Sequence, residues 1–193
     1  MRRRSPFVVE MVASFQNGSH VFILTEFVPG GELFNVINVL GGGGGEGQVG
    51  GDGEQEEEER GIPERQARFY MAEIALALGF LHSLEIMYRD MKPENVMIAL
   101  DGHVKLIDFG LSKDRFYGVN KGTYCGTKEY MAPEVARREP YGVAADWWSF
   151  GALSFDVMCN KYPYGDRPTP IDHGAPVKYP AYLTARAVRD AIQ

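Results

Sequence analysis

Three side chains that could carry out chemistry together stand close to one another in the sequence. They are Asp90, Lys92 and Asn95, within the stretch Tyr-Arg-Asp-Met-Lys-Pro-Glu-Asn at positions 88–95. In a loop, this spacing can direct a carboxylate, an ammonium group and an amide oxygen into one cavity. A carboxylate can accept the proton of an attacking hydroxyl, a lysine can neutralise a phosphoryl group, and an amide oxygen can ligate a hard cation. This set of residues indicates phosphoryl transfer from a metal-bound nucleotide.

Two further motifs follow this stretch. Asp-Phe-Gly occupies 108–110, and Met-Ala-Pro-Glu occupies 131–134. In this order and near these spacings, the three motifs resemble the catalytic loop, the metal-binding loop and the end of the activation segment of a eukaryotic protein kinase. A single Asp-Phe-Gly often arises by chance, whereas three motifs in register rarely do.

The resemblance implies a role for each motif residue. Asp90 would be the catalytic base, and Lys92 would stabilise charge on the transferred group. Asn95 and Asp108 would ligate Mg2+, with ATP as the phosphoryl donor. Glu134 would pair, as in relatives, with an arginine from a later helix.

The bulk composition fits one domain of a soluble globular protein. The chain has 193 residues, 45% hydrophobic and 24% charged, which suffices for a substantial core. The net charge of −6 argues against a general nucleic-acid binder, and no run approaches about 18 apolar residues, so we expect no membrane span. Two widely spaced cysteines, Cys125 and Cys159, favour reduced thiols, and without a signal-peptide pattern we expect a cytoplasmic or nuclear location.

The first part of the chain contains two apolar runs separated by a turn. Apolar β-formers fill 7–15 and 21–27, with Gln-Asn-Gly-Ser between them, which predicts a β-hairpin. By the resemblance, 7–29 is a hairpin remnant of the kinase small lobe and 30–193 is a mainly helical large lobe. The expected fold is therefore α+β, protein-kinase-like and truncated.

The end of this hairpin would contact the nucleotide. The resemblance makes Glu26 to Val28 the hinge, whose backbone groups hydrogen-bond the adenine edge, and makes Thr25 the gatekeeper beside it. Judged without the family, Thr25 is an ordinary strand residue. Met97 would form part of the floor under the adenine.

Residues 30–34 turn the chain into a short helix that begins near Glu32. In relatives that phosphorylate sites near arginine, an acid here contacts the ribose or a substrate arginine. The alternative is an acidic residue favoured by the dipole of the first helical turn. The following stretch, 41–59, is rich in glycine and then glutamate, which predicts a disordered surface insertion.

A long helix is predicted from Pro63 onward. Pro63 fits the helix start, Glu64 suits the first turn, and apolar residues follow at helical spacing: Tyr70, Ile74, Leu78 and Leu81. We expect this stripe to be core, and His82 after it to be structural. Short strands at 96–98 and 104–107 would form a hairpin that brings Asn95 and Asp108 together.

The segment that ends in Gly-Thr-Tyr-Cys-Gly-Thr-Lys-Glu-Tyr, 122–130, resembles the activation loop of the AGC group of Ser/Thr kinases. Thr123 stands where that group carries its activating phosphate, added by an upstream kinase. A phosphate there could pair with Arg89 and order the loop. Thr127 would bond near Asp90 and Lys92, a placement associated with Ser/Thr kinases.

Three acidic residues have family roles in the large lobe. Asp146 would be buried and would brace the catalytic loop through backbone N–H groups. Asp156 and Glu94 occupy positions at which relatives bind a substrate arginine, and with Glu32 they imply a protein substrate with basic residues near the Ser or Thr. Any one of them alone would indicate only a solvated face.

The sequence departs from the family pattern at both sides of these motifs. It has no family-type phosphate loop, since the glycine run after 41 follows the hinge and lacks flanking strands, and no Val-Ala-Ile-Lys lysine. Lys178-Tyr179-Pro180 arrives early, and a last helix starts near Ala185. We expect little or no kinase activity from the chain as written, and an exposed apolar sheet surface. The alternative to a kinase fragment is a catalytically dead kinase-like scaffold.

Overall fold

The computed structural model describes residues 4–41, 61–114 and 122–163. The predicted insertion, the early Lys178–Pro180 stretch and the helix after Ala185 lie outside these ranges. The elements, in chain order, are β1 Met11–Gln16, β2 Val21–Thr25, α1 Leu33–Leu40, α2 Glu64–Ser83, β3 Ile86–Met87, β4 Val96–Ile98, β5 Val104–Leu106, β6 Lys113–Asp114, α3 Pro133–Ala136 and α4 Ala144–Cys159. Short 3-10 turns at Pro93–Asn95 and Lys128–Tyr130 complete the set.

Helix α2 is the central element of the core. Its apolar face recurs every three or four residues and packs against α4 and the β4–β5 hairpin. The predicted stripe is confirmed, because all four of its members are buried: Tyr70, Ile74, Leu78 and Leu81. Each such side chain contributes about 1.5 to 3 kcal/mol on burial. This packing fixes the frame from which the polar loops project.

Strands β4 and β5 pair antiparallel, with Val96 opposite Leu106. The Ile107 N–H donates to the Asn95 carbonyl at 3.0 Å, which extends the contact one step beyond the strands. The hairpin therefore brings Asn95 and the start of the Asp-Phe-Gly motif to the same end, as predicted. Strand β5 ends at Leu106, one residue before the predicted end.

The first hairpin is shorter than the sequence predicted. Strands β1 and β2 are antiparallel, and the Asn17 side chain closes the turn by accepting from the Ser19 and His20 N–H groups. Phe7–Val9 was predicted to belong to this hairpin and instead lies along β5. The Leu106 N–H donates to the Phe7 carbonyl, and the Val9 N–H donates to the Leu106 carbonyl, both at 2.9 Å. The backbone groups of Phe7–Val9, which were predicted to pair with β2, therefore hydrogen-bond to the edge of β5.

The β1–β2 hairpin exposes most of its apolar side chains. More than half of the surface is accessible at six positions: Met11, Val12, Phe15, Val21, Ile23 and Leu24. This surface confirms the expectation of an uncovered apolar sheet. None of the helices in the described ranges combines the length and apolar character needed to cross a bilayer.

Candidate active site

The loop after α2 is hydrogen-bonded to Asp146, which lies in the first turn of α4. Asp146 is 2% exposed and accepts three hydrogen bonds. The donors are the Tyr88 N–H at 2.9 Å, the Arg89 N–H at 2.8 Å and the His82 ring nitrogen at 2.8 Å. Arg89 has a φ of 70°, a strained left-handed conformation that its surroundings must hold. The contacts expected of Asp146 with backbone N–H groups of this loop are therefore present, while its effect on catalysis and the structural role of His82 stay predictions.

The Asp90 carboxylate, 7% exposed, is the centre of the polar cluster above this brace. One of its oxygens accepts from the Thr127 hydroxyl at 3.0 Å. The other accepts from the Asn95 amide nitrogen at 2.9 Å and lies 3.2 Å from the Lys92 ammonium. The cluster brings together the residues that the sequence placed in one cavity and adds the predicted Thr127 contact.

Asn95 and Asp108 present the oxygen atoms that would hold a metal. The Asn95 amide nitrogen is engaged with the Asp90 carbonyl and carboxylate, so its amide oxygen is the group left for a cation. Asp108 is exposed, has a φ of 54° and accepts from the Gly110 N–H at 3.0 Å through one carboxylate oxygen. Within the described ranges no cluster of three His, Cys, Asp or Glu ligands occurs. Mg2+ needs only one or two carboxylates besides water and phosphate oxygens, so this sparse oxygen pair fits Mg2+.

Tyr88 and Phe109 hold the two loops against each other. The Tyr88 hydroxyl donates to the Ile107 carbonyl at 2.5 Å, and its ring meets the Phe109 ring edge-on at 5.5 Å. Burial raises the pKa of Tyr88 well above its usual value, and Asp90 and Asp108 raise it further. The phenol therefore stays protonated and acts as a fixed donor.

The predicted nucleotide-side residues lie at the end of β2 and in the segment that follows it. Thr25 is exposed, Val28 is buried, and Glu26 forms an ion pair with Lys105 at 2.8 Å. That hydrogen bond from Lys105 lowers the pKa of Glu26. The Glu26 side chain is therefore used structurally, which leaves the predicted hinge contacts to the backbone.

The chain after this segment is tied to β4. The Gly30 N–H donates to the Ile98 carbonyl, and Glu32 forms a bridge to Met97. A Cβ on Gly30 would lie 2.3 Å from the Ile98 oxygen, so glycine is required for this approach. Glu32 is the residue before the first turn of α1, and Met97 is half-buried. Their predicted contacts with nucleotide or substrate remain predictions.

The predicted phosphorylation segment lies against the backbone of Arg89, since a Cβ on Gly126 would lie 2.7 Å from the Arg89 carbonyl oxygen. The Thr123 carbonyl accepts from the Tyr141 hydroxyl at 2.9 Å, and that hydroxyl lies 3.4 Å from the Arg89 guanidinium. Arg89 also donates to the Leu111 carbonyl at 2.6 Å. The expected pairing of Arg89 with a phosphate on Thr123 stays a prediction.

A second acidic cluster lies at the other end of α4. Asp156, 8% exposed, accepts from the Tyr130 hydroxyl at 2.7 Å. Burial raises the pKa of Asp156 to about 6, and the neighbouring Glu94 raises it too. Within the described ranges, Glu94 Oε2 is the buried side-chain oxygen for which we find no hydrogen-bond partner. Buried acceptors in this state favour a positively charged donor.

The sequence did not identify Tyr130 or Tyr141 as part of these clusters. Tyr130 contacts a residue 26 positions away, and Tyr141 contacts Arg89 across 52 positions. A tyrosine in the sequence gives no signal of which distant group its hydroxyl will contact. Glu134 lies half-buried in the first turn of α3, and its pairing with an arginine remains a prediction.

Comparison with known proteins connects this geometry to one family. The model of the protein kinase domain matches residues 1–177. The chain is 40% identical to ribosomal protein S6 kinase beta of Caenorhabditis elegans, over 98% of this chain and 32% of that protein. It is 41% identical to serine/threonine-protein kinase Sgk3 of Rattus norvegicus, over 83% and 29% of the two chains. It is 36% identical to the cAMP-dependent protein kinase catalytic subunit of Arthrobotrys oligospora, over 94% and 32%.

These relatives are AGC-group Ser/Thr kinases, as the sequence motifs indicated. The chain spans about a third of the length of the curated relatives it matches.

Proposed function

The chain belongs to the protein kinase domain family, and from this premise we propose that its protein is an AGC-type Ser/Thr kinase that transfers the γ-phosphoryl group of Mg-ATP to basic protein sites. The observation that carries the proposal is the Asp90 carboxylate, held in one orientation by Thr127, Asn95 and Lys92. A carboxylate fixed in this way is suited to accept the proton of an incoming hydroxyl.

The other residues supply positioning and charge. The Lys92 ammonium, 3.2 Å from Asp90, would meet the phosphoryl oxygens as the hydroxyl approaches. Asn95 and Asp108 would hold Mg2+, which when bound neutralises phosphate charge. Asp146 acts through the backbone of Tyr88 and Arg89, and keeps the loop in its strained conformation.

The substrate would carry an arginine near its Ser or Thr. Within the described ranges, Glu94 Oε2 is buried without a hydrogen-bond partner, and the Asp156 carboxylate accepts from the phenol of Tyr130. A guanidinium offers five N–H donors and would satisfy both acids. Glu32 would add a third acidic contact. An upstream kinase would phosphorylate Thr123, and the protein would act in the cytoplasm or nucleus.

The proposal is tested by peptide phosphorylation with the protein purified from its source cells, alongside the 193-residue chain. Asp90→Asn should lower kcat by a factor of about 10² to 10⁴, because proton transfer loses its acceptor. Asp101→Asn is the matched control: Asp101 is an exposed carboxylate in the β4–β5 turn, and kcat should not change. If Asp90→Asn retained full activity, the assigned chemistry would be wrong.

Substrate choice needs a separate measurement. Replacing the substrate arginine by citrulline, which is neutral and of the same shape, should raise KM strongly for the natural protein. Glu94→Gln should reduce this difference between the two peptides. Equal KM values for the arginine and citrulline peptides would contradict the basic-site proposal while leaving kinase chemistry intact.

A catalytically dead partner-binding module is the second candidate, and the exposed apolar hairpin of β1 and β2 is the observation that favours it. If the natural protein neither phosphorylates peptides nor binds Mg-ATP, this candidate replaces the kinase. Activity in the natural protein but not in the 193-residue chain would support the prediction that the chain as written has little activity.

A further inference from the structure

Tyr141 joins three separate segments of the large lobe. It is 4% exposed, and its hydroxyl lies 2.9 Å from the Thr123 carbonyl, 3.4 Å from the Arg89 guanidinium and 3.6 Å from the Cys125 sulfur. Arg89 belongs to the loop that carries Asp90, whereas Thr123 and Cys125 belong to the segment that carries the predicted phosphorylation site. The Tyr141 hydroxyl oxygen therefore contacts both segments.

The hydrogen-bond roles around this oxygen are fixed by the partners. A carbonyl can only accept, so the Tyr141 hydroxyl proton goes to Thr123. A guanidinium can only donate, so Arg89 donates to a lone pair of the same oxygen. Burial raises the pKa of Tyr141 to about 12, so the hydroxyl keeps its proton at neutral pH. Two hydrogen bonds therefore meet at this oxygen, one from Arg89 to Tyr141 and one from Tyr141 to Thr123, and we call this pair the Tyr141 relay.

The backbone around Thr123 lies tightly on the turn that precedes Tyr141. Gly122 has a φ of 73°, and a Cβ on it would lie 1.9 Å from the Arg138 carbonyl oxygen. The Arg138 guanidinium lies over the Tyr124 ring at 5.4 Å. The segment 122–125 is thus packed against the turn before Tyr141, and the Tyr141 hydroxyl contacts both this segment and Arg89 of the catalytic loop.

We propose that Tyr141 is a positioning residue whose hydroxyl couples the position of Thr123 to the orientation of Arg89, and so to the neighbouring Asp90. The functional part of this inference rests on the kinase function proposed above. The physical reason is that Arg89 holds a strained backbone conformation directly before Asp90, and that within the described ranges its side chain is anchored by hydrogen bonds to Leu111 and Tyr141. Loss of the Tyr141 hydroxyl removes one hydrogen bond from the guanidinium and one from the Thr123 carbonyl at the same time.

The coupling is tested by amide hydrogen exchange on Tyr141→Phe, which removes the hydroxyl and keeps the ring. Exchange of the amides in 122–127 should rise by about fivefold to tenfold relative to wild type, while the amides of α2 keep their protection. Tyr124→Phe is the matched control, since it removes an exposed hydroxyl from the same segment, and it should leave exchange unchanged. Unchanged exchange at 122–127 in Tyr141→Phe would overturn the inference.

A double-mutant cycle separates coupling from a simple loss of packing. Arg89→Lys should also loosen 122–127, and it should add little on top of Tyr141→Phe, because both changes break one relay. Fully additive effects would overturn the inference. If Tyr141→Phe also lowers the protection of α2, the protein is globally destabilised and this variant does not test the inference. Arg89→Lys then tests it alone: exchange of the amides in 122–127 must rise while the protection of α2 stays unchanged.

Measuring kinase activity distinguishes a failure of this inference from a failure of the proposed function. In the natural protein phosphorylated on Thr123, Tyr141→Phe should lower kcat several-fold with the KM for ATP unchanged. Normal kcat would overturn the functional coupling. A natural protein with no activity would overturn the proposed function, while the exchange results would still decide whether the Tyr141 relay exists.

Discussion

Helix α4 carries two buried carboxylates, Asp146 in its first turn and Asp156 near its end, and their surroundings differ sharply. Asp146 is 2% exposed and accepts from two backbone N–H groups and the His82 ring. Asp156 is 8% exposed, accepts from the Tyr130 phenol, and lies beside a second acid, Glu94. The two residues have the same type and similar burial, but Asp146 accepts from three donors, whereas we observe one donor to the Asp156 carboxylate within the described ranges.

This difference separates a carboxylate whose charge the protein compensates from one whose charge it compensates poorly. A buried charge costs several kcal/mol unless hydrogen bonds compensate it, and Asp146 has that compensation within the protein. Asp156 does not, which is why burial raises its pKa to about 6. A residue kept in such a state is consistent with a cationic partner that arrives from outside.

The largest expected effect is that of Asp146→Asn. The substitution replaces one acceptor oxygen by an NH2 group that faces donors, and it removes the charge that strengthens all three bonds. We expect a loss of about 3 kcal/mol in the free energy of unfolding, with a loosened Tyr88–Asn95 loop. Urea denaturation at pH 7.5 measures the change. A loss below about 1 kcal/mol would mean that the brace is dispensable, and the contrast with Asp156 would collapse.

The same substitution at Asp156 should act in the opposite direction. Asp156→Asn removes a poorly compensated charge and keeps an oxygen for the Tyr130 hydroxyl. At pH 7.5 we expect stabilisation by about 1 to 2 kcal/mol, below the upper bound of about 3 that a shift of this size implies. Binding of an arginine peptide should weaken at the same time. Destabilisation at pH 7.5 would show that the ionised carboxylate is better satisfied than its contacts indicate.

The pH dependence sharpens this second prediction. The pKa of Asp156 is about 6 in the folded protein and about 4 in the unfolded chain, so the folded state binds the extra proton between these values. The wild-type stability attributable to this group is therefore greatest at low pH and is lost as pH rises from about 4 to 6. The gain from Asp156→Asn should be full above pH 6 and absent near pH 4. Equal gains at pH 4 and pH 7.5 would contradict the assignment.

Glu94→Gln should give a smaller effect on the same cluster. Removing the neighbouring charge lowers the pKa of Asp156, which nevertheless stays above its ordinary value because burial is the main cause of the shift. Carbon-detected NMR of the Asp156 carboxyl during a pH titration measures the change. An unaltered pKa would show that Glu94 and Asp156 do not interact.

The sequence predicted those parts of the site that are local in the chain. Asp90, Lys92 and Asn95 lie within six positions, and the stripe of α2 follows from helical periodicity, so both could be read directly. The contacts of Asp146 were expected from family resemblance, and its hydrogen bonds with the Tyr88 and Arg89 N–H groups match that expectation. The Tyr130–Asp156 contact and the placement of Phe7–Val9 along β5 depend on packing between distant segments. Neither periodicity nor spacing encodes such contacts, so they were missed.

A third buried carboxylate, Glu73 in α2, gives the smallest expected effect and an intermediate case. It accepts from the Val104 N–H at 2.9 Å, as Asp146 accepts from backbone, but its other donor is the exposed His103 ring at 2.5 Å. The hydrogen bond with Glu73 raises the pKa of His103. The stability from this pair should be full below about pH 6.5, the usual pKa of an unfolded histidine, and lost as pH rises through the raised folded pKa. Thermal unfolding of wild type and His103→Gln should therefore differ most at pH 6 and converge by pH 9. A difference that stayed constant from pH 6 to pH 9 would show that the pair does not depend on the histidine charge, and that titratable and fixed donors stabilise a buried carboxylate equally.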